Sequence, residues 1–193
     1  MKHFFLVIVS FFLVPIVAQA QTLWKVDKAH TEILFRVKHM VISTVTGKFT
    51  DYDIALRTSK PDFSDATIEG AVKVSSINTG NDARDKHLRS DDFFNAEKFP
   101  EMKFKSTKFT KTGNNTYQIT GLLTIRDKTK EVTFNATYNG SVVSPWGKKI
   151  SSWSATTVIN RFDFGLKWNQ ALETGGLVVG SDVTIEINAE FTE

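Results

Sequence analysis

The chain has 193 residues, of which 24 are Lys or Arg and 21 are Asp or Glu, for a formal charge of +3. That length fits one hydrophobic core, and basic residues dispersed among acids argue against a nucleic-acid partner. Cysteine is absent, which excludes thiol catalysis, Cys-zinc sites, c-type haem attachment and stabilisation by disulfides.

The start of the chain is a targeting signal by pattern. Met1-Lys2-His3 is short and basic, Phe4 to Val17 is apolar apart from Ser10 and Pro15, and Ala18-Gln19-Ala20 has the small-x-small form of a cleavage site. The run is shorter than the roughly 20 apolar residues of a comfortable membrane span. Residues 1–20 are therefore expected to be a signal peptide cleaved after Ala20, with residues 21–193 forming a single domain in the periplasm or outside the cell.

From Trp24 onward the dominant period is two. Ile33, Phe35 and Val37 alternate with Leu34, Arg36 and Lys38, and Ile68, Val72 and Val74 alternate with Glu69 and Lys73. Tyr117, Ile119, Leu123 and Ile125 share one face. After a hairpin turn within Arg126 to Lys130 come Val132, Phe134, Ala136 and Tyr138. The last segment is the cleanest, with Val183, Ile185, Ile187, Ala189 and Phe191 on one side and Thr184, Glu186, Asn188 and Glu190 on the other. One dry and one wet face per strand is the mark of half-buried antiparallel pairing. Eight or nine such segments suffice to close a sheet on itself, although a sandwich would read alike. Parity slips between Phe49 and Ile54, and between Phe104 and Phe109, predict β-bulges that bend the strands.

One stretch, Arg84 to Pro100, interrupts this rhythm with alternating charges that end in Phe93-Phe94 and Phe99-Pro100. Thr79 and Asp82 have the spacing of a capping box. Asp85 stands four before Arg89, the favourable order for a helical ion pair, and Ser90 before Asp91-Asp92 resembles a second N-cap. Short helical turns are expected over about residues 82–94, with Pro100 ending the excursion.

The same stretch raises the question of chemistry. Asp82, Asp85, His87, Asp91 and Asp92 lie close in sequence, but neither an oxygen-rich calcium loop nor a three- or four-ligand zinc pattern is met. A hydrolase using Asp85 and His87 has no accompanying G-x-S-x-G turn, and no glycine-rich loop is placed to hold a phosphate. No catalytic residue, metal or cofactor is therefore assigned. The 16 phenylalanines form either a plain core or the lining of an apolar pocket.

Several segments taken together resemble the YceI-like family, also called polyisoprenoid-binding. They are Trp24 to Thr31, Phe35 to His39, Gly47-Lys48-Phe49, the stretch Ser76 to Phe94 with Phe99-Pro100, Leu122 to Arg126 with Thr129-Lys130, and Phe162-Asp163-Phe164-Gly165. Asp127 stands where family members usually carry glycine, which bears on the hairpin's turn type. The resemblance implies a closed, antiparallel, lipocalin-like all-β barrel around an apolar tunnel. Such a tunnel would bind a long-chain isoprenoid, an isoprenoid quinone or a fatty amide without catalysis.

On that reading Phe35, Val37, Phe49, Val72, Val74, Phe104, Leu123, Ile125, Phe134 and Phe164 line the tunnel, and Phe93 and Phe94 reach it from the helical excursion as a lid. Transient membrane contact and a homodimer are compatible with this expectation. Two alternatives stand beside it: an envelope hydrolase with Asp85 and His87 as an acid/base pair, and a filled-core barrel acting through protein partners.

Overall fold

Strands that each carry one apolar face must hide those faces together, and a sheet closed on itself does so while leaving no free edge. The computed structural model describes residues 20–173 and 175–193; the expected signal segment falls almost wholly outside them. The strands are β1 (Thr22–Val26), β2 (Glu32–His39), β3 (Ser43–Phe49), β4 (Tyr52–Thr58), β5 (Thr67–Lys73), β6 (Ile77–Asn78), β7 (Glu101–Lys111), β8 (Thr116–Ile125), β9 (Lys128–Val143), β10 (Lys149–Asn160) and β11 (Val179–Thr192), with one α-helix, α1 (Asp82–Arg89).

All pairings between these strands are antiparallel. The order β1-β4-β5-β7-β8-β9-β10-β11 closes by a β1–β11 pairing, which is an eight-stranded barrel. β2, β3 and β6 extend three of its members: β11 pairs with β1 through Phe191 and Thr192 and with β2 through Val179 to Asn188. Each of β1–β2, β3–β4 and β5–β6 is thus one wall position interrupted by a bend. At the first bend Thr31 Oγ1 accepts from Glu190 N at 3.0 Å and Tyr52 Oη donates to Thr31 O, so the interruption stays tied to the wall.

Both parity slips correspond to real bends. The chain breaks pairing at Thr50-Asp51 between β3 and β4, and the β7–β8 ladder shifts register between Ser106 and Lys108. The β8–β9 turn contains only Arg126-Asp127, and its left-handed residue is Arg126 (φ 56°).

The Arg84 to Pro100 stretch does leave the sheet. It connects β6 to β7, beyond the Lys73–Glu101 pair at which β5 and β7 part. Its internal chemistry differs from expectation in three respects. The N-cap of α1 is Asn81, whose side chain accepts from Arg84 N. Asp85 is buried and accepts from Thr79 N and Thr79 Oγ1, so its partner is the preceding loop and not Arg89. Ser90 sits at the C-terminus of α1, where its hydroxyl donates to His87 O at 2.7 Å, and no second helix follows it.

Candidate binding cavity

Closure of the barrel leaves a cavity of about 210 Å³ along its axis. Side chains alternate in and out along each strand, so the inward positions of the wall are those the period-two pattern marked. Among the described residues around the cavity, only Lys103 and Arg161 carry a charge, and the rest are almost wholly aliphatic or aromatic.

Ten of the twelve expected lining residues stand on this wall: Phe35, Val37, Phe49, Val72, Phe93, Phe94, Phe104, Leu123, Ile125 and Phe134. Val74 and Phe164 do not. Val74 is buried in a 3-10 turn, Val74–Ser76, that breaks the alternation of β5, and its N–H donates to Pro100 O. Phe164 is buried in a second 3-10 turn, Arg161–Phe164, beside Val132, Thr157 and Ile159. Strands β9 and β10 part there, beyond their Thr156–Asn135 pair. A strand parity cannot be extrapolated through a helical turn, which explains both errors.

One end of the cavity is sealed by rings. Trp153 packs within 5.8 Å, centroid to centroid, of Phe63, Phe109, Tyr117 and Tyr138, and Trp24 completes the cluster against Phe63. Phe63 was not singled out in the sequence because it lies in a loop. It is buried with a left-handed backbone (φ 55°). That conformation is held by the adjacent loop carboxylate, since Asp65 accepts from Thr58 Oγ1 and from the backbone of Ser59 and Lys60. The Thr58 hydroxyl and these N–H groups hold the Asp65 pKa down at about 2.

The opposite end is ringed by half-buried side chains, among them Leu88, Phe94, Val37, Val179 and Trp168. Phe93 stacks at 5.4 Å on Trp168, His87 meets both rings edge-on, and Phe94 meets Phe49 edge-on at 6.2 Å. Arg126 fastens this cover: its Nη1 donates to Phe93 O at 2.9 Å and Gly165 O at 3.1 Å, and its guanidinium lies over the Phe99 ring. These bonds compensate the left-handed strain at Arg126.

Arg161 is the buried cation of the wall. Its guanidinium donates to the carbonyl oxygens of Gly180, Leu166, Trp168 and Val179 and faces the Phe162 ring at 4.3 Å. Burial pushes its pKa below the ordinary value, yet carbonyl dipoles supply the hydrogen bonds a buried charge requires. The wall therefore carries a carbonyl-bound cation at its covered end, where Arg161 meets Trp168 O.

The Asp85–His87 pair is not assembled. Asp85 is committed to Thr79, and His87 Nε2 meets Asp92 Oδ2 at 2.9 Å. A different acid–histidine group lies outside the barrel, at the β1–β2 bend: His30 Nδ1 is 2.9 Å from Asp27 Oδ2 and 3.9 Å from Glu190 Oε2. Hydrogen bonding between them lowers the Asp27 pKa and raises that of His30. It reads as an exposed ion pair closing the bend, remote from the cavity.

A sealed floor, an apolar wall and a helical cover form a container for an apolar chain, and the sequence comparisons agree with that geometry. The YceI-like domain model matches residues 24–191. The chain belongs to the YceI-like family. A UPF0312 protein of Staphylococcus aureus is 40% identical over 167 residues, which is 86% of this chain and 95% of the relative. The crystal structure of a Campylobacter jejuni YceI protein is 34% identical, with a TM-score of 0.70 over 86% of this chain and 95% of that one. Two more distant structures share the fold. Burkholderia cenocepacia BcnA is 22% identical with a TM-score of 0.75, covering 86% of this chain and 98% of BcnA. A polyisoprenoid-binding domain from Saccharophagus degradans is 12% identical with a TM-score of 0.58, covering 87% and 97%.

Proposed function

We propose that this YceI-like protein is a non-catalytic carrier that encloses one long apolar chain, isoprenoid or acyl, in its barrel cavity. The observation that carries this reading is the wall itself, which offers hydrocarbon along its length and charge only at Lys103 and Arg161. The naming of a distant structural neighbour as polyisoprenoid-binding supports the same ligand class. Trp153 at the floor lies on β10 and Arg161 near the cover directly follows that strand, eight positions on, which is roughly 26 Å at ~3.3 Å per residue. With a tilt of roughly 40° the lumen is ~20 Å long. One leaflet of a bilayer is about 15 Å of hydrocarbon, half of the ~30 Å core. The lumen is therefore matched to a single chain drawn out of a leaflet, whose polar end would remain near Arg161.

Each methylene withdrawn from water contributes ~0.8 kcal/mol. The membrane offers the same gain, so the length and width of the cavity, more than gross affinity, would select the chain. Removal of residues 1–20 on export would place the carrier in the envelope, where such chains must cross water. Protein purified from its native envelope should carry an extractable lipid, seen by mass spectrometry of the organic extract, and emptied protein should reload with it. A protein that emerges empty and takes up neither isoprenoid nor fatty amide would sink the proposal.

A further inference from the structure

The turn between β2 and β3 carries Met40, Val41 and Ile42, all exposed, with Ile42 at 88% of its full surface. Three adjacent large apolar residues on a turn run against the usual chemistry of turns. Their backbone is equally unusual, since Met40 and Val41 are both left-handed, with φ of 50° and 68°. Two successive left-handed residues in a hairpin call for Asn-Gly, and a β-branched residue is a genuine outlier there. This sequence is poorly fitted to stabilising its own turn.

What the turn gains is a position. Val37 and Val179 are part of the cavity wall, and β2 and β11 make their last pair at His39–Val179. The N–H of Met40 then donates to Val178 O at 2.9 Å. The apolar tip therefore stands immediately beyond the covered end of the cavity. Val41 leans on Gly176, where its Cγ2 would be 2.8 Å from any Cβ, so the tip is braced against the neighbouring loop. Exposed Lys38 stands two residues before it on β2 and has no ion-pair partner among the described residues; the neighbouring loop carries the exposed Lys167 and Glu173.

We propose that the Met40-Val41-Ile42 tip inserts into the surface of a lipid bilayer and docks the cavity mouth there, so that a chain passes between leaflet and barrel without entering water. The inference rests on the carrier reading above. The adjacent Lys38 fits an anionic head group, while the three side chains enter the acyl boundary. A second apolar turn, with Trp146, lies on the β9–β10 hairpin next to the sealed end, and docking through it would point the mouth away from the membrane.

The test compares wild type, Met40→Asn/Val41→Gly/Ile42→Thr and Trp146→Ser. Each is measured for co-sedimentation with phosphatidylcholine vesicles containing phosphatidylglycerol, and for loading with one isoprenoid presented either in those vesicles or in cyclodextrin. The triple variant installs the residues its turn conformation prefers, so its thermal midpoint should equal or exceed the wild type's. Its vesicle partition should fall by about tenfold or more, from loss of the buried Val and Ile surface. Loading from vesicles should slow accordingly, with loading from cyclodextrin unchanged and Trp146→Ser behaving as wild type.

Vesicle binding that survives the triple substitution, or that follows Trp146, would overturn the proposal. So would a wild type that loads from cyclodextrin yet ignores vesicles, including one whose tip merely pairs two copies in sedimentation. A wild type that loads from neither source fails the carrier reading itself.

Discussion

Shortening the cavity from its floor is the most direct probe of what the barrel measures. Ala136 and Ala155 face each other across β9 and β10, two positions above Trp153, and both lie on the wall. Changing both to Leu adds six heavy atoms to the lumen just above the aromatic floor. Two strand positions correspond to ~6.6 Å along the strand or ~5 Å along the axis, about a quarter of the lumen. If the added groups fill empty space, their burial contributes up to ~5 kcal/mol, opposed by roughly 1–3 kcal/mol of overpacking strain. The empty variant should therefore melt no lower than wild type. For a chain long enough to reach the floor, displacing about three methylenes removes ~2.4 kcal/mol, or roughly fiftyfold in affinity. Native mass spectrometry with a ladder of chain lengths should show short chains binding both proteins alike and the longest accepted chain becoming shorter in the variant. An unchanged length limit with unchanged affinity would mean that no ligand uses the lower lumen, and would refute the carrier geometry.

Arg126→Ala should loosen the cover, costing about 2–3 kcal/mol through loss of its charge-assisted bonds to Phe93 O and Gly165 O; hydrogen exchange over residues 91–100 would report it. Arg126→Gly, which relieves the left-handed strain, should lose less. Phe93→Ser with Phe94→Ser should release bound chain faster in a dilution assay, whereas Asp85→Asn, which weakens two bonds from Thr79, should lower the midpoint by a few degrees while the loaded protein still retains its chain on extraction. Asp65 has a folded pKa of about 2 against the ordinary 3.8, so its stabilisation is present above about pH 4 and lost as pH falls towards 2. Partial exposure keeps this near ~1 kcal/mol, and Asp65→Asn should flatten that part of the pH–stability curve.

Strand identity was legible because one face of nearly every strand meets the interior, so Phe35, Leu123 and Phe134 could be placed by parity alone. The bulge between Phe104 and Phe109 was legible for the same reason, since an extra residue reverses parity. Illegible features are those in which long-range contacts override local pattern. Phe63 sits in a polar loop and is recruited to the floor by a backbone conformation that Asp65 holds. Arg161 is a charge on an apolar wall, satisfied by four carbonyls distant in the fold from any acidic residue pattern. The charges of α1 suggested an Asp85–Arg89 pair by spacing, but Thr79 is nearer in space than spacing alone reveals. Val74 and Phe164 failed where 3-10 turns suspended the alternation on which the placement relied.

The closure of the sheet bears on how the chain acquires its structure. Val26 pairs with Phe191, and β11 also borders β10 and β2, so this one strand completes the wall on three fronts. Until it is in place, β10 and β2 present unpaired edges that invite association between chains. Pairings across so great a sequence separation place folding in the range of milliseconds to seconds. A growing chain therefore stays unfolded until β11 is available, and loss of that strand should yield an aggregating polypeptide instead of a smaller barrel.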